Sequence, residues 1–161
     1  MFLVIGYGNS LCGDDGVGPY AVEQLASAEG EKDRDVQFLA VHQLTPELAE
    51  PVSRADTVIF VDAACGGAPG TISSYKFMPS AKIPETIMMP GALTHHLDVR
   101  LLLSYVHYLY GQRPTTYLYT IAAENLSLGD PFSPAVEQAL PSLLGRLKAR
   151  MTKCMNLALP K

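Results

Sequence analysis

Three kinds of residue in this chain could act together: the adjacent acids Asp14 and Asp15, the acid Asp62, and the adjacent histidines His95 and His96. Asp14 and Asp15 sit in the glycine-rich turn Gly6-Tyr-Gly-Asn-Ser-Leu-Cys-Gly-Asp-Asp-Gly-Val-Gly18. Asp62 follows the apolar run Val58-Ile-Phe-Val61, and the histidines fall within Leu93-Thr-His-His-Leu-Asp98. Two carboxylates and an imidazole form a mixed oxygen and nitrogen ligand set. Such a set suits borderline divalent metals such as zinc or nickel and leaves positions open for other ligands. Paired carboxylates can instead share a proton and work as general acid and base. The spacing selects no metal, and only the topology of the fold can bring these residues together.

The turn excludes two common phosphate sites. A dinucleotide fingerprint, G-x-G-x-x-G, needs glycine where Leu11 stands, and no Gly-Lys-Ser/Thr follows for a P-loop. Adjacent carboxylates would also repel an anion from the helix start. The bland alternatives stay open at each position. Asp14 and Asp15 can cap the helix that follows, and Asp62 can cap its own turn. Cys12 and Cys65 lie within the two acidic loops as soft ligands or as small apolar residues. Neither H-E-x-x-H nor G-x-S-x-G occurs.

The histidines separate on a helix, where neighbours point about 100° apart. His95, Val99, Leu102, Val106 and Leu109 form one apolar stripe, whereas His96, Arg100, Ser104 and His107 share a polar face. With Thr94 as N-cap, His95 stands in the first turn, where the helix dipole favours neutral imidazole, the form that binds metal. A satisfied core histidine is the plain alternative. His42 and His107 have no comparable context and read as structural or surface residues.

The elements that must position these groups alternate along the chain. Strands are expected over Phe2–Ile5, Val36–Val41, Thr57–Val61, Thr71–Phe77 and Tyr117–Ala122. Helices are expected over Val17–Ser27, Pro46–Arg54, Thr94–Tyr110 and Pro134–Lys153, and a long proline-bearing loop over Met78–Ala92. This order predicts a three-layer α/β/α sandwich on a mostly parallel, twisted sheet of about five strands. Ligands of such sheets bind beyond the carboxyl ends of the strands, which is where Asp14, Asp15 and Asp62 fall.

The 161 residues make one domain over 1–155, with 156–161 as a frayed tail. Apolar residues are 48% and charged residues 17%, which excludes a disordered chain. A net charge of −4 without a basic run speaks against nucleic acid. No apolar stretch reaches bilayer length and no signal-peptide layout is present, so no membrane association and a cytoplasmic location are expected. The three dispersed cysteines read as free thiols in a reducing compartment.

The opening motif Gly6–Gly18 resembles that of the hydrogenase maturation peptidases. Val61-Asp-Ala63 resembles their second motif and Thr94-His-His their third. Gly129, Ser133-Pro134 and Val136 match a G-x-x-x-S-P-x-V pattern, in which Ser133 and Pro134 also read as N-cap and first residue of the last helix. The four likenesses occur in order and span nearly the whole chain. The family often has Glu-Pro where Glu124-Asn125 stands, a departure expected to matter little.

The resemblance implies an endopeptidase that removes the C-terminal extension of a nickel–iron hydrogenase large-subunit precursor after nickel insertion. It implies Asp15, Asp62 and His95 as the residues that contact the nickel, which the substrate itself supplies; for catalysis, either that metal activates water and carbonyl or Asp15 and Asp62 share a proton as a general acid and base pair. The doubled histidine leaves His95 or His96 open as the ligand, and the attacking group also stays open. A monomer is implied. A non-catalytic nickel-dependent maturation chaperone and a small-molecule hydrolase or phosphorylase are the other readings.

Overall fold

The apolar run at the start of the chain forms β1 (Phe2–Tyr7), whose first five residues are buried. In the computed structural model, which describes residues 1–29, 35–77 and 98–158, β1 leads through a 3₁₀ turn at Gly13–Gly16 into α1 (Val17–Glu29). The chain continues through β2 (Val36–Val41), α2 (Ala49–Arg54), β3 (Thr57–Ala64) and β4 (Ile72–Phe77). It ends with α3 (Val99–Tyr110), β5 (Thr115–Ala122) and α4 (Pro134–Ala158).

The five strands lie in the order β2-β1-β3-β5-β4. All neighbours run parallel except β4, which is antiparallel to β5. On one face Val4, Ile59 and Ile121 pack with Val22 and Leu25 of α1 and Leu143 and Leu147 of α4. On the other, Leu3, Ile5 and Phe60 pack with Val52 of α2 and Leu102 and Val106 of α3. Strands buried on both faces explain the near-continuous apolar runs of β1 and β3. The three-layer α/β/α sandwich expected from the alternating pattern is the fold. Among the described residues no helix is long and apolar enough to cross a membrane.

Several boundaries differ from expectation for identifiable reasons. β3 continues past Val61 because β5 accompanies it, pairing Asp62 with Thr120 and Ala64 with Ala122. Asp62 therefore lies within the strand rather than after it. Pro46–Leu48 is a 3₁₀ turn, and α2 begins only at Ala49. α4 runs to Ala158, past the expected end at Lys153, while 159–161 lie outside the described residues. α3 begins at Val99 with Asp98 as N-cap, its carboxylate accepting the Leu101 N–H at 2.7 Å. The expected earlier start at Thr94, with His95 and His96, and the Met78–Ala92 loop lie outside the described residues. Val99, Leu102 and Val106 are buried as the stripe requires, but Leu109 is 58% exposed, because the last turn of α3 leaves the core.

Two glycines let the start of α1 sit directly on the strand ends. A Cβ on Gly18 would stand 2.4 Å from the Tyr7 carbonyl oxygen and 2.5 Å from that of Val61, and one on Gly6 would stand 2.0 Å from the Gly18 carbonyl oxygen. The nearest atoms to both are backbone, which cannot give way. Gly18→Ala is therefore expected to destabilise the fold by about 3 kcal/mol or more, measured by denaturant unfolding. A surface control, Gly145→Ala in α4, meets open space and is expected to change stability by less than about 1 kcal/mol, in the stabilising direction.

Candidate active site

The two adjacent acids of the first turn do different jobs. Asp14 is fully buried. One carboxylate oxygen accepts the N–H groups of Glu124 at 2.8 Å and Asn125 at 2.9 Å, and the other accepts the Ser133 N–H at 2.7 Å. The Asp14 N–H in turn donates to the Asn125 carbonyl at 2.8 Å. Ser133 is the N-cap of α4, its hydroxyl accepting the Val136 N–H at 3.3 Å, with Pro134 as the first helical residue. Asp14 thus ties the first turn to the β5–α4 connection and the start of α4. It does not cap α1. The Glu124-Asn125 departure also has a consequence: proline at 125 would lack the N–H that Asn125 donates.

Asp15 turns the other way. Its carboxylate accepts the Asn9 N–H at 2.7 Å, closing the turn on itself. Gly8 has φ +137°, and a Cβ there would stand 2.0 Å from the Asp15 carbonyl oxygen, so the turn needs glycine at this point. Asp15 and Asp62 line one cavity of about 350 Å³ at the carboxyl edge of the sheet, together with Tyr7, His42 and Asp98. The ladder of β1 with β3 ends at the Gly6–Val61 pair. Asp62 stands one residue beyond it, still paired to β5 but no longer covered by β1 on its other side.

Electrostatics mark Asp62 out. Burial pushes its carboxyl up to about 6; the charge of Asp15 adds to the rise, while hydrogen bonds from the Tyr7 hydroxyl and the Ala63 N–H oppose it. Burial also raises the Tyr7 phenol well above its ordinary range, reinforced by the charge of Asp62. The Tyr7 ring meets Phe60 edge-on, centroids 6.4 Å apart, which fixes its direction. A carboxyl that changes protonation near neutrality, beside a second carboxylate in a cleft, can take up and return a proton during a reaction.

The expected pairing of Asp15 and Asp62 at one edge is what the fold produces. His95, the third expected member, lies outside the described residues. Among the described residues no group of three or more His, Cys, Asp or Glu is placed to hold a metal ion. Cys12 is half-buried and its sulfur accepts a hydrogen bond from the Asn9 side chain, whereas Cys65 is exposed; neither lines the cavity. His42, read from sequence as structural or surface, lines the cavity instead. It directly follows β2, so the strand-end rule that singled out Asp62 also points to it. Asp98 enters through its place at the start of α3.

Stability responds to Asp14 and Asp62 in opposite directions. Burial raises the Asp14 carboxyl, but the N–H bonds from Asn125, Ser133 and Glu124 outweigh it and bring it below the ordinary value. Its contribution is full above the unfolded-state value of about 4 and is lost as pH falls through the folded value. For Asp62 the folded chain keeps a proton that the unfolded chain has lost, so stability falls as pH rises between about 4 and 6. Asp14→Ala leaves three N–H groups unpaired and is expected to cost about 3–5 kcal/mol at pH 7. Urea unfolding of wild type and variant across pH should show that difference shrinking toward pH 3.

No model of a protein family and no curated protein matches the sequence. Solved structures do match the fold. A nickel–iron hydrogenase maturation protease, HycI, from Thermococcus kodakarensis is 23% identical with a TM-score of 0.67, covering 91% of this chain and 88% of its own. The hydrogenase maturating endopeptidase HybD from Escherichia coli is 21% identical with a TM-score of 0.68, covering 95% and 93%. A further Escherichia coli endopeptidase is 24% identical with a TM-score of 0.69 over the same shares. The chain therefore has the fold of the hydrogenase maturation proteases over nearly its whole length.

Proposed function

We propose that the chain is an endopeptidase that removes the C-terminal extension of a nickel–iron hydrogenase large-subunit precursor once nickel is in place. The observation that carries this reading is the cavity shared by Asp15 and Asp62 on the fold of proteins described as hydrogenase maturation proteases. The opening motif, the Asp62 strand end and the Ser133-Pro134 cap support it: Asp15 and Asp62 border one cavity, and the Ser133 N–H ties the start of α4 to the opening turn through Asp14.

The nickel belongs to the substrate in this reading. Asp15 and Asp62, with His95, would approach it as oxygen and nitrogen donors, a set that suits a borderline ion. That ion would supply a Lewis acid for the scissile carbonyl. The chain's own part is proton traffic and electrostatics. In the nickel-free chain Asp62 changes protonation near neutrality, with Asp15 beside it in the same cavity. Tyr7 lines the same cavity, and its hydroxyl favours the ionised form of Asp62. Together they can accept a proton from the attacking group and return one to the departing amine. A reading as chaperone or as small-molecule hydrolase has no observation of its own to favour it.

Intact-mass analysis of a nickel-loaded precursor incubated with the protein is the direct test. Wild type is expected to release a C-terminal fragment from nickel-loaded but not nickel-free precursor, and Asp62→Asn to slow release by about a hundredfold or more. An unchanged mass with a stable complex would replace the peptidase reading with that of a chaperone.

A further inference from the structure

β2 forms one edge of the sheet, and its carboxyl end opens onto the acidic cavity through His42, Gln43 and Leu44. Its ladder with β1 determines which backbone groups are free. The Phe2 N–H donates to the Asp35 carbonyl at 2.7 Å and the Gly8 N–H to the Val41 carbonyl at 3.2 Å. In a parallel ladder a residue turns its N–H and C=O to the same neighbour, and the next residue turns both away. Val36, Phe38 and Ala40 therefore present N–H and C=O to the outer edge, and among the described residues no strand pairs there.

Among the described residues this edge lacks the usual protection. Proteins blunt such edges with charge, proline or a bulge. Val36-Gln-Phe-Leu-Ala-Val41 carries neither charge nor proline, whereas the opposite edge, β4, carries Lys76. A second cavity of about 370 Å³ adjoins the end of β2, walled by Ala40 and Val41, by Pro19 and Glu23 of α1, and by the 68% exposed Leu11 of the first turn. It shares Gly8, Asn9 and His42 with the cavity that holds Asp15 and Asp62. The strand edge, this mixed polar and apolar cavity and the acidic cavity thus adjoin one another.

We propose that this edge receives the substrate by strand addition. An extended segment of the precursor bordering the scissile bond pairs with the outward groups of Val36, Phe38 and Ala40. It seats a side chain between Leu11 and Pro19, and so delivers the bond to Asp15 and Asp62. The proposal rests on the peptidase reading and names how that substrate is held. An endopeptidase must hold its substrate's main chain extended, and an edge strand does so with backbone hydrogen bonds while adjacent pockets read side chains. The three carboxylates Asp15, Asp62 and Asp98 add a demand for positive charge in the occupant, which a nickel-bearing precursor satisfies.

Ala40→Pro removes one outward N–H and no bond to β1, so the ladder survives. Cleavage of nickel-loaded precursor by this variant is expected to show KM raised about tenfold or more, with kcat within about threefold of wild type. Circular dichroism and the unfolding midpoint should report a native fold. A folded Ala40→Pro with wild-type KM overturns the proposal and leaves the peptidase reading intact. If Ala40→Pro does not fold, wild-type protein is offered two competitor peptides spanning the cleavage region, one with N-methylated backbone amides. Weaker inhibition by the methylated peptide is expected, and equal inhibition overturns strand addition. Wild-type protein that leaves nickel-loaded precursor intact overturns the peptidase reading, and this proposal with it.

Discussion

The close approach of α1 to the ends of β1 and β3 is the constraint on which the site depends. Gly6 and Gly18 place backbone against backbone where any side chain would collide. Because of that approach, the turn leaving β1 folds back over the sheet edge instead of projecting from it. Asp15 then lines the same cavity as Asp62, which β3 carries past the last β1 pair. Moving the helix outward by the width of a methyl group would enlarge this cleft and weaken the coupling of the two carboxylates, which depends on distance and on low local dielectric.

Asp14 is what holds the turn in that position. Three N–H groups from the segment before α4 converge on its carboxylate, and charge-assisted bonds of this kind are about twice as strong as neutral ones. The first and last thirds of the chain are thereby fastened together behind the cavity. Adjacent residues of the same type are divided between frame and site: Asp14 is spent on backbone donors, while Asp15 keeps its exposure to the cleft. Asp62 sits between these extremes, buried enough to resist ionisation and still open to the cavity.

The layered fold was legible because its signals are local: β1 and β3 as apolar runs, α1 as a helical stripe, Ser133-Pro134 as a cap. The convergence of Asp15 and Asp62 was legible through the rule that parallel strands gather their carboxyl ends at one edge. Asp14's role was not legible, since its partners at Glu124 and Asn125 lie 110 and 111 residues away and donate through backbone N–H groups that carry no side-chain signature. The continuation of β3 past Val61 was hidden for a similar reason, because the length of a strand depends on its neighbour β5. His42 was missed although it follows β2 as closely as Asp62 follows the apolar run of β3. A lone histidine after a strand gains meaning only when the cavity beside it is known. The histidine motif at His95 lies outside the described residues, so the acidic pair alone carries the site's geometry.

In the proposed mechanism Asp15 and Asp62 act as one unit on the scissile bond. A double-mutant cycle of Asp15→Asn and Asp62→Asn, read as kcat/KM for release of the C-terminal extension from nickel-loaded precursor, tests it most directly. Each single variant is expected to lose about a hundredfold or more, and the double variant no more than about tenfold beyond the worse single. Losses that multiply as for independent residues, or a single variant with wild-type activity, would contradict it.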